Sequence, residues 1–509
     1  MGLNLSTSKS SLIIACKNKN AVEALKIINK KNNDLNNYND VKNYDNKEGI
    51  TLTEDLNSKN KSIQITKDEC DVKIIKKVIF NKVDSNNNTA LIWTCVNNMS
   101  EVALELIKTG QSKPEQVNCY DNTAIIYACC NKMSEVALEL IKTGQSKPEQ
   151  VNSNNNTALN WACKNNMSEV ALELIKTGQS KPKYVNWYNN TALIWACKNK
   201  MSEVALELIK TGQSKPEQVN SNNNTTLILA CENNMLDVAL ELIKTGQSKP
   251  EQVNCYNNTA LIYACKNNMS EVALELIKTG QSKPEHVNCY NNTALILACE
   301  NNMLDVALKL IETKQSKPEQ VNCYNNTALI YACCNNMSEV ALELIKTGQS
   351  KPEQVNSNNN TALNWACENK MTTVALELIK IIYFSVGKKI DAISLKKICD
   401  TKTFNDDTIL NLLTDLNMSP KMIENDNTLL NIIFDNEYIN SASLLLNMNI
   451  NLHDINENKL INFIEKYEKE IKGEITNIYV ITLLYSKQKS YLIDKDILIN
   501  YQKFNYNNM

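Results

Sequence analysis

Apolar residues return along this chain in two short blocks that recur together every 34 residues. The first block reads Ala124-Ile125-Ile126-Tyr127-Ala128-Cys129, and the second holds Val136, Ala137, Leu140 and Ile141. Nine threonines mark the period: Thr89, Thr123, Thr157, Thr191, Thr225, Thr259, Thr293, Thr327 and Thr361. A repeat of this length signals stacked copies of one supersecondary unit. In the second block helical spacing sets Glu135, Glu139 and Lys142 opposite the apolar face. The pattern predicts a short helix opened by Thr123 and ending near Asn131-Lys132, then a second over Glu135 to Thr143 capped by Ser134. Gly144 supplies a left-handed stop, and Pro148 keeps the following loop from continuing as helix. Each unit is helix, tight turn, helix, long loop. One such pair cannot bury its apolar face alone, whereas stacked pairs share a core.

The period is uninterrupted from about Asp84 to Lys380 and wears out on both sides. Ser11 to Asn18 aligns with a first helix and Val22-Glu23-Ala24-Leu25 with a second; a further degenerate unit with a polar insertion is expected over 45–83. Asn427 to Ile433 followed by Ala442 to Leu446 reads as another worn unit, and the last fifty residues read as helical. Three regions follow: residues 1–83 as degenerate repeats and cap, 84–380 as nine 34-residue repeats, 381–509 as a helical region with degenerate repeats. Atypical ends are expected of a solenoid, since terminal units must end the core against water. Two units carry Leu236-Asp237 and Leu304-Asp305 in place of Ser-Glu. A lost serine cap costs about 1 kcal/mol, so locally weaker repeats are expected there unless the aspartates favour the helix dipole.

The repeat resembles the ankyrin repeat. That family's Thr-Pro-Leu-His-x-Ala-Ala run stands here as Thr191-Ala192-Leu193-Ile194-Trp195-Ala196-Cys197, and its second helix as Glu203 to Ile209. Gly212 and the Val219-Asn220 pair match the family's loop. Alanine replaces the proline, isoleucine or asparagine replaces the histidine, and the loop is one residue longer. The family's histidine braces neighbouring loops, so another group must do so here. The Asn155-Asn156 turn is the expected substitute, because Asn tolerates left-handed backbone and bonds its own main chain. The resemblance implies an all-α, ankyrin-like solenoid of stacked helix-turn-helix repeats, with degenerate capping repeats at both ends. The uniform, asparagine-rich form looks like the ankyrin proteins of giant DNA viruses of amoebae, which would make the partners host proteins in the host cytoplasm.

Composition narrows the function. All 54 basic residues are lysine, and net charge is −2. Phosphate and base recognition leans on the guanidinium fork, so nucleic acid is not expected as the main ligand. Nine of the eighteen cysteines hold equivalent places in successive repeats. Neighbouring helices pack roughly 8–10 Å apart, beyond the about 7 Å between Cα atoms that a disulfide allows. Free thiols fit a reducing, intracellular location. No apolar run is long enough for a transmembrane helix, and Leu12 to Cys16 is too short for a secretory signal. Met1-Gly2-Leu3-Asn4-Leu5-Ser6 fits an N-myristoylation pattern; a lipid on Gly2 would give only weak, reversible membrane attachment.

Catalysis needs several groups converging within hydrogen-bond reach. The two histidines, His286 and His453, are far apart in sequence, and His286 merely replaces a glutamine found at Gln116, Gln150 and Gln252. Cys129-Cys130 and Cys333-Cys334 are adjacent, unlike the spaced ligands of zinc sites. No cofactor or metal is expected, and the chain reads as a non-enzyme.

Recognition residues are the better search. The resemblance points to the loop tips and the exposed side of the first helix as the gripping surface. By position the tips include Cys119-Tyr120, Trp187-Tyr188, Cys255-Tyr256, Cys289-Tyr290 and Cys323-Tyr324, with Ser-Asn pairs at the other four. Aromatic residues dominate interface energy, which makes Tyr120, Trp187, Tyr188, Tyr256, Tyr290 and Tyr324 the candidate protein-binding residues. They could equally pack against the next loop. A second row (Trp93, Tyr127, Trp161, Trp195, Leu229, Tyr263, Leu297, Tyr331, Trp365) reads as packing. A third varies in charge (Val96, Cys130, Lys164, Lys198, Glu232, Lys266, Glu300, Cys334, Glu368), shifting from basic to acidic midway. It either orients a partner electrostatically or is a solvated face. The expected function is a monomeric protein-binding scaffold. The alternative is an adaptor that passes a captured target to a ubiquitin ligase or other machinery through residues 381–509, although that segment shows no such motif.

Overall fold

Each threonine of the 34-residue series stands at the N-cap of a helix. In eight of the nine its hydroxyl accepts from the amide three residues on, as Thr191 Oγ1 does from Ile194 N at 3.2 Å. Thr123 makes no such bond. The helix that follows has seven residues, Ala124–Cys130 in the second repeat. It closes with a left-handed residue, Lys132 at φ 58°, and with Met133 N donating back to Ala128 O at 2.8 Å. That closure is a Schellman motif, in which a hydrophobic residue follows the left-handed one; Met133 fills the role, only 4% exposed.

The second helix then runs Ser134–Lys142. Its N-cap is Met133, with no side-chain cap bond, so Ser134 is already the first helical residue and does not cap. The two-residue turn and the burial of Met133 fix this register. The weakness expected at Leu236 and Leu304 loses its premise: both occupy the same first helical place, after Met235 and Met303, and no cap was there to lose. The C-terminal stop is as expected, Gly144 lying at φ 68°. Val136, Ala137 and Leu140 are buried, while Ile141 is half-buried. Side chains the size of Val136 and Leu140 each contribute about 1.5–3 kcal/mol when fully buried.

The computed structural model describes residues 11–40, 82–384, 405–407, 410, 433–434, 437–447, 456–471, 475–476 and 478–507. Among them all regular structure is helical, giving the all-α stacked-repeat fold. They fall into two units, Met1–Ser282 and Lys283–Met509. In the first, helix Ser11–Lys17 packs on Ala90–Val96, and Ala21–Asp40 on Ser100–Lys108. The N-terminal pair therefore caps the first full repeat directly, with no repeat between them in the stack. The further unit expected over 45–83 lies almost wholly outside the described residues. From Ala90 to Lys278, first helices pack on first helices and second on second.

In the second unit three more pairs stack the same way, ending with Ala362–Glu368 and a longer last helix, Thr372–Phe384. Farther on, helix Ile439–Asn447 buries Ala442, Leu445 and Leu446. Its N-terminus is held by Asp406, which accepts from Asn440 N at 2.7 Å and Ser441 Oγ at 2.6 Å. Phe463 stacks edge-on against Phe434, centroids 5.1 Å apart. Residues 427–432 of the worn unit and His453 lie outside the described residues.

Candidate recognition surface

The turn that carries each tip is tied by one asparagine. Asn186 Oδ1 accepts from Tyr188 N and from Asn190 N, both at 3.0 Å. Asn189 completes the turn in left-handed backbone, φ 57°, a conformation Asn tolerates better than most residues. The other end of the same amide reaches the previous repeat, Asn186 Nδ2 donating to Asn156 Oδ1 at 3.1 Å. Across the first unit the link recurs as Asn118 to Asn88, Asn152 to Asn122, Asn220 to Asn190 and Asn254 to Asn224. In the second it joins Asn322 to Asn292 and Asn356 to Asn326. Main-chain bonds join the tips too, with Ser153 N donating to Tyr120 O at 3.1 Å and Ser221 N to Tyr188 O at 3.2 Å.

A second amide row braces the first helices. Asn131 Nδ2 donates to Cys95 O and Asn165 Nδ2 to Cys129 O, each at 2.8 Å. Asn97 does the same for Cys16 O at 2.7 Å, tying on the N-terminal pair. Inter-repeat bracing thus comes from asparagines, as expected for Asn156. The main contributors, Asn118 and its equivalents and Asn131 and its equivalents, escaped the sequence reading. Their recurrence at every repeat was the available signal, because an amide can accept within its own turn and donate to the next.

On this pinned framework the candidate aromatic residues point outward. Exposure runs from 57% at Tyr290 to 69% at Trp187, with Tyr120, Tyr188, Tyr256 and Tyr324 between. None is packed away against a neighbouring loop. Trp187 and Tyr188 share one tip. In the second unit Tyr290 and Tyr324 occupy successive tips joined by Cys323 N donating to Tyr290 O at 3.0 Å. Tyr120 stands on a separate tip, and Tyr256 belongs to the first unit. Gly2 lies outside the described residues.

The second row is packed, with Leu229, Tyr263 and Leu297 buried and the tryptophans half-buried. Some of its polar atoms meet the turns: Trp93 Nε1 donates to Asp84 Oδ2 at 2.9 Å, and Asn118 Nδ2 donates to the Tyr127 hydroxyl at 3.3 Å, whereas the indole N–H groups of Trp161 and Trp195 are buried without an acceptor. Burial alone would raise the Asp84 carboxyl, but bonds from Asn88, Trp93 and Asn86 outweigh it and hold the group below its ordinary value. Row three meets row two. Tyr263 OH donates to Glu232 Oε1 at 3.1 Å and Tyr331 OH to Glu300 Oε1 at 3.2 Å. Lys164 Nζ lies 4.4 Å from the Trp161 ring centre and 5.6 Å from that of Trp195, and Lys198 lies 5.2 Å from Trp195.

His286 occupies a glutamine place in the long loop, its N–H donating to Lys283 O at 3.1 Å. The sixteen described cysteines are free, and Cys119, Cys255, Cys289 and Cys323 are exposed at tips.

A sequence model of the family described as ankyrin repeats (3 copies) matches residues 63–150, 139–219, 208–286, 227–322, 280–352 and 295–391. Together these cover well over half of the chain. The chain belongs to the ankyrin-repeat family. No curated protein matches it. Ankyrin repeats imply a protein-interaction scaffold, and the outward tips and first-helix face are what this ankyrin array presents. No described helix is long and apolar enough to cross a membrane.

Proposed function

We propose that this protein is a non-enzymatic scaffold that grips protein partners through its tip turns, with Trp187 and Tyr188 as central anchors. One observation carries the reading. The tip side chains are among the few that vary from repeat to repeat, and where they are aromatic they stand in solvent on turns fixed by amide bonds. Large, rigid side chains with little freedom left to lose are the residues that contribute most to binding. Supporting groups are already paired, so the turn has no need of Trp187 or Tyr188 for its own stability. The exposed tip thiols favour a reducing compartment.

The test joins two readouts. Partners are identified by affinity capture from the native cell and mass spectrometry, then titrated against purified Trp187→Ala/Tyr188→Ala protein. Loss of affinity by at least tenfold with unchanged thermal unfolding is the expected result. A parallel loss of stability, or unchanged affinity, would place the anchors elsewhere.

A further inference from the structure

Charge is unevenly distributed over the tip turns and first helices. From Asn152 to Asn166, which spans the tip turn and first helix of the third repeat, Lys164 is the sole charged residue. From Asn186 to Lys200 in the fourth, Lys198 and Lys200 are the charged residues, and no carboxylate occurs. The fifth repeat reverses the sign with Glu232 alone, between Asn220 and Asn234.

These lysines are treated differently from those on the second helices. There the lysines pair with a glutamate three residues away, as in Lys142–Glu139 at 2.6 Å, Lys210–Glu207 at 2.7 Å and, in reversed order, Lys309–Glu312 at 2.6 Å. Lys164 and Lys198 have no carboxylate partner among the described residues; their ammonium groups rest on indole faces instead. Cation–π contact orients an ammonium without cancelling its charge. Lys164 is exposed but lies within cation–π reach of both Trp161 and Trp195, which biases the direction of its long stem. The same fourth repeat carries Trp187 and Tyr188, 69% and 68% exposed, on the turn directly ahead of the helix that bears Lys198.

We infer that the third and fourth repeats form a docking site for an acidic protein segment that also carries aromatic or aliphatic side chains. Its carboxylates pair with Lys164, Lys198 and Lys200, and its apolar groups lie against Trp187 and Tyr188. The assignment rests on the scaffold reading above and adds the chemistry of the partner. Charge complementarity decides the occupant: two pre-oriented, uncompensated ammonium groups beside apolar anchors, with Glu232 on the next repeat to repel a segment that slides out of register. Lysine supplies point charges to carboxylates, whereas strand-like phosphate recognition favours a longer basic groove and guanidinium forks.

The experiment measures fluorescence anisotropy of a short labelled peptide of alternating Glu and Phe, titrated with the full-length protein. Binding should weaken about tenfold in Lys164→Gln/Lys198→Gln, each exposed ion pair supplying roughly a factor of three. It should return in Lys164→Arg/Lys198→Arg, weaken with added salt, and be unchanged in Lys210→Gln on the second-helix face. The inference is overturned if the Gln-for-Glu peptide binds as tightly, if the double Gln variant binds like the parent, or if single-stranded DNA binds more tightly than the peptide. Should the native partner be lost from Trp187→Ala/Tyr188→Ala but not from the lysine variants, the acidic-segment inference fails while the scaffold reading stands.

Discussion

Asn118 Nδ2 donates to Asn88 Oδ1 at 2.9 Å, linking successive tip turns through two residues thirty apart in sequence. Asn118 Oδ1 meanwhile accepts from Tyr120 N and Asn122 N, each at 3.0 Å. One side chain thus sets both the shape of a turn and its attachment to the previous one. The recognition surface depends on it, because outward aromatic residues can bind only if the turns beneath them hold still.

The first prediction concerns the same amide one repeat on. Asn152→Ala strands the N–H groups of Asn154 and Asn156 and the side-chain oxygen Oδ1 of Asn122, which Asn152 now satisfies. An unpaired buried polar group costs about 1–3 kcal/mol, so the variant should lose on the order of 2–4 kcal/mol with the local repeats fraying first. Urea unfolding together with amide exchange measures both. Asn154→Ala, at an exposed tip position, serves as the comparison and should stay within about 0.5 kcal/mol.

A second prediction follows from a missing glycine stop. Seven of the second helices are followed by a left-handed glycine, and at the same place after Leu304–Glu312 Lys314 sits in left-handed backbone at φ 58°. A side chain there costs about 1–2 kcal/mol, partly offset by the greater freedom of glycine in the unfolded chain. Lys314→Gly should therefore raise stability by about 1 kcal/mol. Gly144→Lys should lower it by a similar amount. No change in the denaturant midpoint of either variant would contradict the strain.

These two residues also show how far the sequence could be read. Thr191, Gly144 and the apolar face of the second helix act within one or two turns of backbone, so periodicity and residue type placed them. The Ser134 cap failed by a single position, because Met133 serves at once as the closing residue of one helix and the N-cap of the next. Capping propensity contains no information about a buried side chain in a two-residue turn. The asparagine links were harder still: Asn118 and Asn88 meet only because the repeats stack, and nothing local distinguishes them from solvent-facing loop residues. At the site, sequence position placed Trp187 and Tyr188 at a tip, but their exposure and the position of Lys164 within reach of two indoles depend on neighbouring repeats.

The third prediction uses the repeats as their own control. Asn160 is buried at 1% exposure. Its Oδ1 accepts from Thr157 Oγ1 at 2.8 Å, whereas its Nδ2 has no acceptor. Seven sibling repeats place isoleucine there, buried to 1% or less at Ile92, Ile126, Ile194, Ile228, Ile262, Ile296 and Ile330. The cavity shape is therefore compatible with the larger side chain. Asn160→Ile removes the unpaired amide donor and adds apolar burial, for an expected gain of about 1–2 kcal/mol. A calorimetric melt showing destabilisation would mean that the amide has a partner in solution.

The last prediction is a pH dependence. Burial pushes the Cys95 and Cys197 thiols up from 9.0 to about 12, and raises those of Cys129, Cys163, Cys231, Cys299 and Cys333 as well. In the unfolded chain these groups ionise near their ordinary value, so between about pH 9 and 12 the unfolded state binds fewer protons than the folded one. Stability that is fully present below pH 9 must then fall as pH rises. At pH 10 each such thiol accounts for about 1.4 kcal/mol of the loss. Lysines and tyrosines titrate in the same range, so the decisive comparison is between parent and Cys197→Ala. The variant, which puts the family's alanine at a fully buried site, should lose about 1.4 kcal/mol less than the parent between pH 7 and pH 10. Equal losses in urea midpoints would show that Cys197 ionises in the folded state, and hence that the stacked first helices admit water and hydroxide to the row of sulfur atoms between them.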